Sequence, residues 1–132
     1  MSEELPIIYL ARHGETAWSL TGQHTGLTDL PLTERPGWLL FRDGCPGGES
    51  PAQAMARADR VVNRLRTVQK DVLLFSSGHF IRVLATRWIE LEVTANARRL
   101  MLSTASLSAV GYENELSRPV IRLWNETNHV SV

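Results

Sequence analysis

One cysteine, Cys45, is all the thiol the 132-residue sequence holds, so no disulfide can form within the chain. A scaffold stapled by bridges is excluded, and a reducing, cytoplasmic setting is the expectation. Net charge is also lacking: Lys+Arg and Asp+Glu both count 14. Such a balance creates no overall field for a nucleic acid or an anionic membrane surface, and neither is expected as a partner. No apolar run has the length of a membrane span. The opening MSEELP has neither the basic start nor the apolar middle of a signal peptide, so none is expected. Cysteine and histidine never cluster at zinc-like spacing, and no metal or other cofactor is expected. A Gly-x-Ser-x-Gly elbow is missing too, which argues against a Ser-His-Asp hydrolase.

What is present is ordinary in bulk and unusual in one place. Hydrophobic residues make up 43% and charged residues 21%, enough for one domain over residues 1–132 with a single core. The unusual place is IIYLARHGET, residues 7–16. Ile7 to Ala11 is an apolar, β-branched run with the pattern of a strand buried on both faces. It breaks into Arg12, His13, Gly14 and Glu15, a cationic and acidic cluster at the carboxyl end of a strand. In open α/β sheets that edge is where ligands bind.

The next stretch, residues 16–33, is rich in Gly, Thr and small polar residues and reads as a long ordered loop. Ser19, Gln23 and Thr25 could donate to an anionic ligand or simply satisfy the loop's own backbone. Residues 34–50 carry turn punctuation at Pro36-Gly37 and Cys45-Pro46-Gly47-Gly48, around an apolar patch, Trp38-Leu39-Leu40-Phe41. That patch reads either as one helical turn or as a docking plug.

Ser50 opens the clearest helix, with Pro51 at its first position and Gln53 completing a capping box. Met55, Ala58, Val62 and Leu65 form its apolar stripe, and the helix is expected to run to about Gln69. Arg57, Arg60, Arg64 and Arg66 lie mostly off the stripe and read as a solvated face. Val72 to Phe75 is a second apolar run, read as a buried strand, and it breaks into Ser76-Ser77-Gly78-His79. A helix is expected over residues 80–90, which places His79 at a helix N-terminus. Strand, helix and strand in this order imply parallel pairing. His13 and His79 would then face one cleft. Residues 104–112 and 119–124 read as a closing hairpin whose serines are edge-strand filler, with ENELSR as its turn.

Two histidines and an arginine at strand ends suit phosphoryl transfer. A neutral imidazole can attack phosphorus, and a guanidinium can hold phosphate oxygens bidentately. RHGET, then GQHTGLTDLPLT, GGES and SSGH, resemble the histidine phosphatase superfamily, the phosphoglycerate-mutase-like fold, over nearly the whole chain. The wording is most similar to the branch that includes sedoheptulose bisphosphatase. The resemblance implies an α/β fold, a three-layer sandwich with a mostly parallel sheet. It implies hydrolysis of phosphomonoesters, sugar phosphates or similar small metabolites, through a phosphohistidine, without a cofactor. It makes His13 the nucleophile and Arg12 and His79 phosphate ligands. Ser19, Gln23, Thr25 and Gly78 become substrate-binding positions, with Glu15 and Glu49 in supporting roles.

The sequence also departs from that family. After Glu34-Arg35 it runs straight into Pro36-Gly37-Trp38, and no SPL-x-RA motif occurs. The resemblance therefore implies an internal deletion near residues 34–36, taking with it the second phosphate-binding arginine and the general acid. Three readings of the gap stand side by side: a segment left out of the sequence, a deletion that keeps the fold, or a degenerate member. The alternative function is a weak or inactive phosphate-binding or assembly module. Two readings cover the surface such a deletion uncovers: a homodimer with an interface near residues 38–41, or a monomer in which the same run plugs the hole.

Overall fold

The computed structural model describes residues 5–12 and 49–129. Its elements in chain order are strand β1 (Ile8–Arg12), helix α1 (Pro51–Leu65), strand β2 (Val72–Ser76), helix α2 (Gly78–Trp88), a single-turn helix α3 (Val93–Asn96) running into a 3-10 turn (Ala97–Arg99), and strands β3 (Leu107–Tyr112) and β4 (Pro119–Glu126). The sheet order is β2-β1-β3-β4.

α1 begins where its capping residues dictate. Ser50 Oγ accepts from the Gln53 backbone N–H at 3.1 Å, and Gln53 Oε1 accepts from the Ser50 N–H at 2.8 Å. The helix ends at Leu65, earlier than the expected Gln69. There the Arg66 and Val68 N–H groups turn back to the Val62 and Leu65 carbonyls at 3.0 and 3.1 Å. Its stripe buries Ala54, Ala58, Val62 and Leu65. α2 starts at Gly78, two residues before the expected start, because Ser77 caps it by accepting from the Phe80 N–H at 3.2 Å. It buries nearly every residue from Phe80 to Trp88. The two helices lie side by side and are tied by Arg87 Nε donating to Asp59 at 2.7 Å.

β1 and β2 pair in parallel, with Ile8 opposite Val72 and Arg12 opposite Ser76. Strand, helix and strand thus give the expected crossover. The remaining pairings are antiparallel, β1 with β3 and β3 with β4, so the described sheet is mostly antiparallel and not mostly parallel. The reason lies in the connection after α2. That helix carries the chain away from the edge where β1 ends. Residues 89–106 climb back through α3 and the 3-10 turn, and the Arg12 N–H donates to the Ser106 carbonyl at 3.1 Å. β3 therefore starts at the edge where β1 finishes and must run against it. The hairpin to β4 forms as expected.

The core gathers Ile8 and Leu10 of β1, Ala58, Val62 and Leu65 of α1, Ile81, Leu84 and Trp88 of α2, and Val110 and Tyr112 of β3. Burial of each large apolar side chain contributes roughly 1.5–3 kcal/mol. Trp88 is fully buried, yet its indole N–H is satisfied by the Gly111 carbonyl at 2.9 Å. Three expectations fail here. β2 is not a strand buried on both faces: Val72 and Leu74 pack against the core, while Leu73 and Phe75 point to the opposite face and are 54% and 70% exposed. Nor are the serines of the hairpin filler. Ser106 and Ser108 are buried, and Ser108 Oγ accepts from the Asn125 N–H at 2.9 Å. The α1 arginines are not all on a bare solvated face either: Arg66 lies 5.3 Å over the Trp88 ring and donates to the Trp88 carbonyl.

Candidate active site

Parallel pairing of β1 and β2 brings the carboxyl ends of both strands to one edge of the sheet. Arg12 is the last residue of β1 and stands opposite Ser76, the last residue of β2. Two residues on, the chain turns into α2 with Gly78 and His79 in its first turn. Backbone N–H groups at such a helix start have no partner within the helix, and the helix dipole favours an anion there.

Gly78 is needed because Arg12 lies against it. A Cβ at position 78 would stand 2.8 Å from both the guanidinium carbon and Nε of Arg12, and 3.2 Å from its Cδ. No side chain fits without moving the arginine. The guanidinium is also held from the other side, by Nη1 donating to the Leu102 carbonyl. Burial lowers the pKa of Arg12 from its ordinary value. A guanidinium keeps its proton in proteins even so, and the consequence is a partly desolvated fixed cation at the helix start.

Glu49 precedes the cap of α1 and makes a bidentate bridge to Arg57, at 2.9 Å for each oxygen. The Arg57 guanidinium in turn sits 4.0 Å over the Phe80 ring centroid. Phe80 follows His79, so the contacts from Glu49 through Arg57 to Phe80 end beside the start of α2. Sequence reading gave Glu49 a supporting place without its partners.

Three contributors were missed altogether. The Leu102 carbonyl comes from a connection with no sequence pattern and has no signal of its own. Arg57 was read as solvated. Arg82 stands three residues after His79 on α2, one turn along the same face, and its Nε donates to the Ala97 carbonyl at 3.2 Å. Its pKa is lowered by burial first and then by the charge of Arg12. The structure thus brings Arg12 and Gly78 into contact, with His79 the next residue. His13, Glu15, Ser19, Gln23 and Thr25, together with the 38–41 patch, lie outside the described residues. Among the described residues no group of three or more His, Cys, Asp or Glu is placed to hold a metal ion. No helix of the described residues is long and apolar enough to cross a membrane.

This geometry can hold a small anion and bring cationic donors to it. The family model described as histidine phosphatase superfamily (branch 1) matches residues 8–38 and 36–127. An acid phosphatase of Mycobacterium tuberculosis is 41% identical over 96 residues, covering 70% of this chain and 47% of its own length. A sedoheptulose 1,7-bisphosphatase of Saccharomyces cerevisiae is 33% identical over 69 residues, 46% of this chain and 25% of its own. The chain thus matches about half or less of the length of these curated relatives. Among solved structures, one of an open reading frame from Mycobacterium tuberculosis superposes with a TM-score of 0.76 at 28% identity, over 92% of this chain and 97% of that one.

Proposed function

Because the chain belongs to the histidine phosphatase superfamily, branch 1, we propose that it hydrolyses phosphomonoesters of small metabolites, sugar phosphates among them, through a phosphohistidine. The observation that carries this reading is the packing of the Arg12 guanidinium on Gly78 at the start of α2, beside His79. His13 follows Arg12 directly and is the proposed nucleophile. Its ring nitrogen forms a bond to phosphorus as the ester P–O bond breaks, and the leaving oxygen takes a proton from solvent. Water then attacks the phosphohistidine, returning neutral His13 and inorganic phosphate. Arg12 and His79 stabilise the charge gathered on the phosphoryl oxygens in both steps. Ser19, Gln23 and Thr25 line the substrate side, and Glu15 stands in support.

The test is direct. His13→Ala is expected to abolish hydrolysis of an aryl phosphate while the protein stays folded. Wild type exposed to labelled ester is expected to carry acid-labile label, and turnover that survives His13→Ala removes the assignment.

A second reading, a phosphate-binding module with little turnover, draws on the family match, which comes in two pieces overlapping at residues 36–38. That supports an internal gap near residues 34–36 and the loss of a general acid. A lost acid costs about two to four powers of ten. Activated aryl phosphates, whose leaving groups need no proton, then survive best, and equal rates on aryl and sugar phosphates refute the loss. We also propose a homodimer, supported by the exposed Leu73 and Phe75 of β2. Sedimentation as a 14.8 kDa monomer at micromolar concentration rejects it. A cytoplasmic setting remains the expectation from the single cysteine and is checked by cell fractionation.

A further inference from the structure

Residues 101–106 grip Arg12 at two points. The Leu102 carbonyl accepts from its Nη1, and the Ser106 carbonyl accepts from its backbone N–H at 3.1 Å. This connection lies between the 3-10 turn and β3, outside any helix or strand, so its shape is set by what fastens it. The end of β4 does so. Trp124 Nε1 donates to the Met101 carbonyl at 2.6 Å, and Asn125 Oδ1 accepts from the Ser103 N–H at 2.7 Å. These two bonds close on either side of Leu102. Just beyond the strand, His129 Nε2 donates to the Ala105 carbonyl at 2.8 Å. Ala105 has a φ of 59°, which alanine keeps only where its surroundings fix it.

Adjacent side chains of a regular strand point to opposite faces, so Trp124 and Asn125 could not both address one connection. They do so because β4 bulges. Three positions of β4, from Glu126 to Leu123, run against two of β3, from Leu107 to Ala109. Asn125 absorbs the irregularity with a left-handed φ of 57°, which asparagine tolerates. Its own N–H goes to Ser108 Oγ at 2.9 Å.

We propose that Asn125, with Trp124 beside it, is a positioning residue of the phosphate site. Holding Met101 and Ser103, the pair sets the Leu102 carbonyl and with it the Arg12 guanidinium. A guanidinium fixed in advance loses less freedom when it closes on an anion, so the clamp raises affinity without adding a contact to the ligand. This rests on the reading that the corner of Arg12, Gly78 and His79 takes phosphate.

The experiment measures binding of inorganic phosphate by calorimetry, and the order of the Arg12 Nε–H in the unliganded protein by NMR relaxation. It compares wild type with Arg12→Gln, Asn125→Gly and Ile121→Ala, the last on the same strand but paired with Val110. Asn125→Gly deletes the acceptor and still takes the left-handed backbone. Wild type is expected to bind phosphate and Arg12→Gln to lose it. Failure of that pair overturns the phosphate reading and this inference with it. Given that pair, Asn125→Gly is expected to bind phosphate about tenfold more weakly and to show a mobile Arg12 side chain. Ile121→Ala is expected to match wild type in both measurements. Wild-type affinity or an ordered Arg12 in Asn125→Gly overturns this proposal alone. So does an equal loss in Ile121→Ala, which would reduce Asn125 to one more fastening of the hairpin. Should Asn125→Gly not fold, Trp124→Phe takes its place under the same criteria, because it keeps a ring and loses the N–H that holds Met101.

Discussion

β2 and β3 flank β1 on its two sides, and both are rich in apolar residues, yet they are used differently. From Ser108 to Tyr112 every residue of β3 is buried, while no residue of β2 reaches that state. β3 has a strand on each side, β1 and β4. β2 has one strand neighbour among the described residues and packs Val72 and Leu74 only partly against the core. The difference teaches that β2 matters for its end and β3 for its faces. β2 delivers the turn into α2 where Gly78 and His79 stand, whereas β3 holds the sheet together beneath it.

Substitutions can break this contrast. The largest effect is expected at Val110, fully buried on β3. Val110→Asp places an unpaired charge in the core, costing more than about 4 kcal/mol. Circular dichroism is expected to show an unfolded chain. Next comes the end of β2. Gly78→Ala pushes the Arg12 guanidinium off its seat, since the new Cβ would lie 2.8 Å from it. Phosphate affinity is expected to fall about a hundredfold, with thermal unfolding little changed because alanine is the better helix former. The smallest effect is expected on the outer face of β2. In the dissociated monomer, Phe75→Ser is expected to change stability by no more than about 0.5 kcal/mol in denaturant titration. A loss near that of a core truncation would show Phe75 covered in solution, and would bring the two strands closer in kind.

How much of this was legible in the sequence follows the same contrast. Local signals were readable, because capping and turn chemistry act within a few residues: Ser50 and Gln53 fixed the start of α1, and the hairpin declared itself through its turn. The ends of β1 and β2 were readable because polar residues break apolar runs there. The burial of VLLF was not, since the same letters suit a central strand and an edge, and only neighbours distant in sequence decide. The direction of β3 was equally hidden, being set by where residues 89–106 bring the chain back. At the site, Arg12, Gly78 and His79 came from motif and spacing. Their support came from two places that sequence could not single out: a backbone carbonyl, which no residue type announces, and Arg57 and Arg82, which look like any other helix arginines.

The hold of Leu102 on Arg12 spans 90 positions of sequence. A ribosome delivers the N-terminal strand first, and that strand then waits with its cation unanchored until the connection beyond α2 has emerged. β1 needs β2 on one side and β3 on the other, so its pairing is nonlocal in both directions and its ordering is slow by topology. Nascent chains halted before residue 102 are therefore without the carbonyl that fixes the arginine. The contact that seats Arg12 is therefore completed late in synthesis, as the chain approaches the closing hairpin.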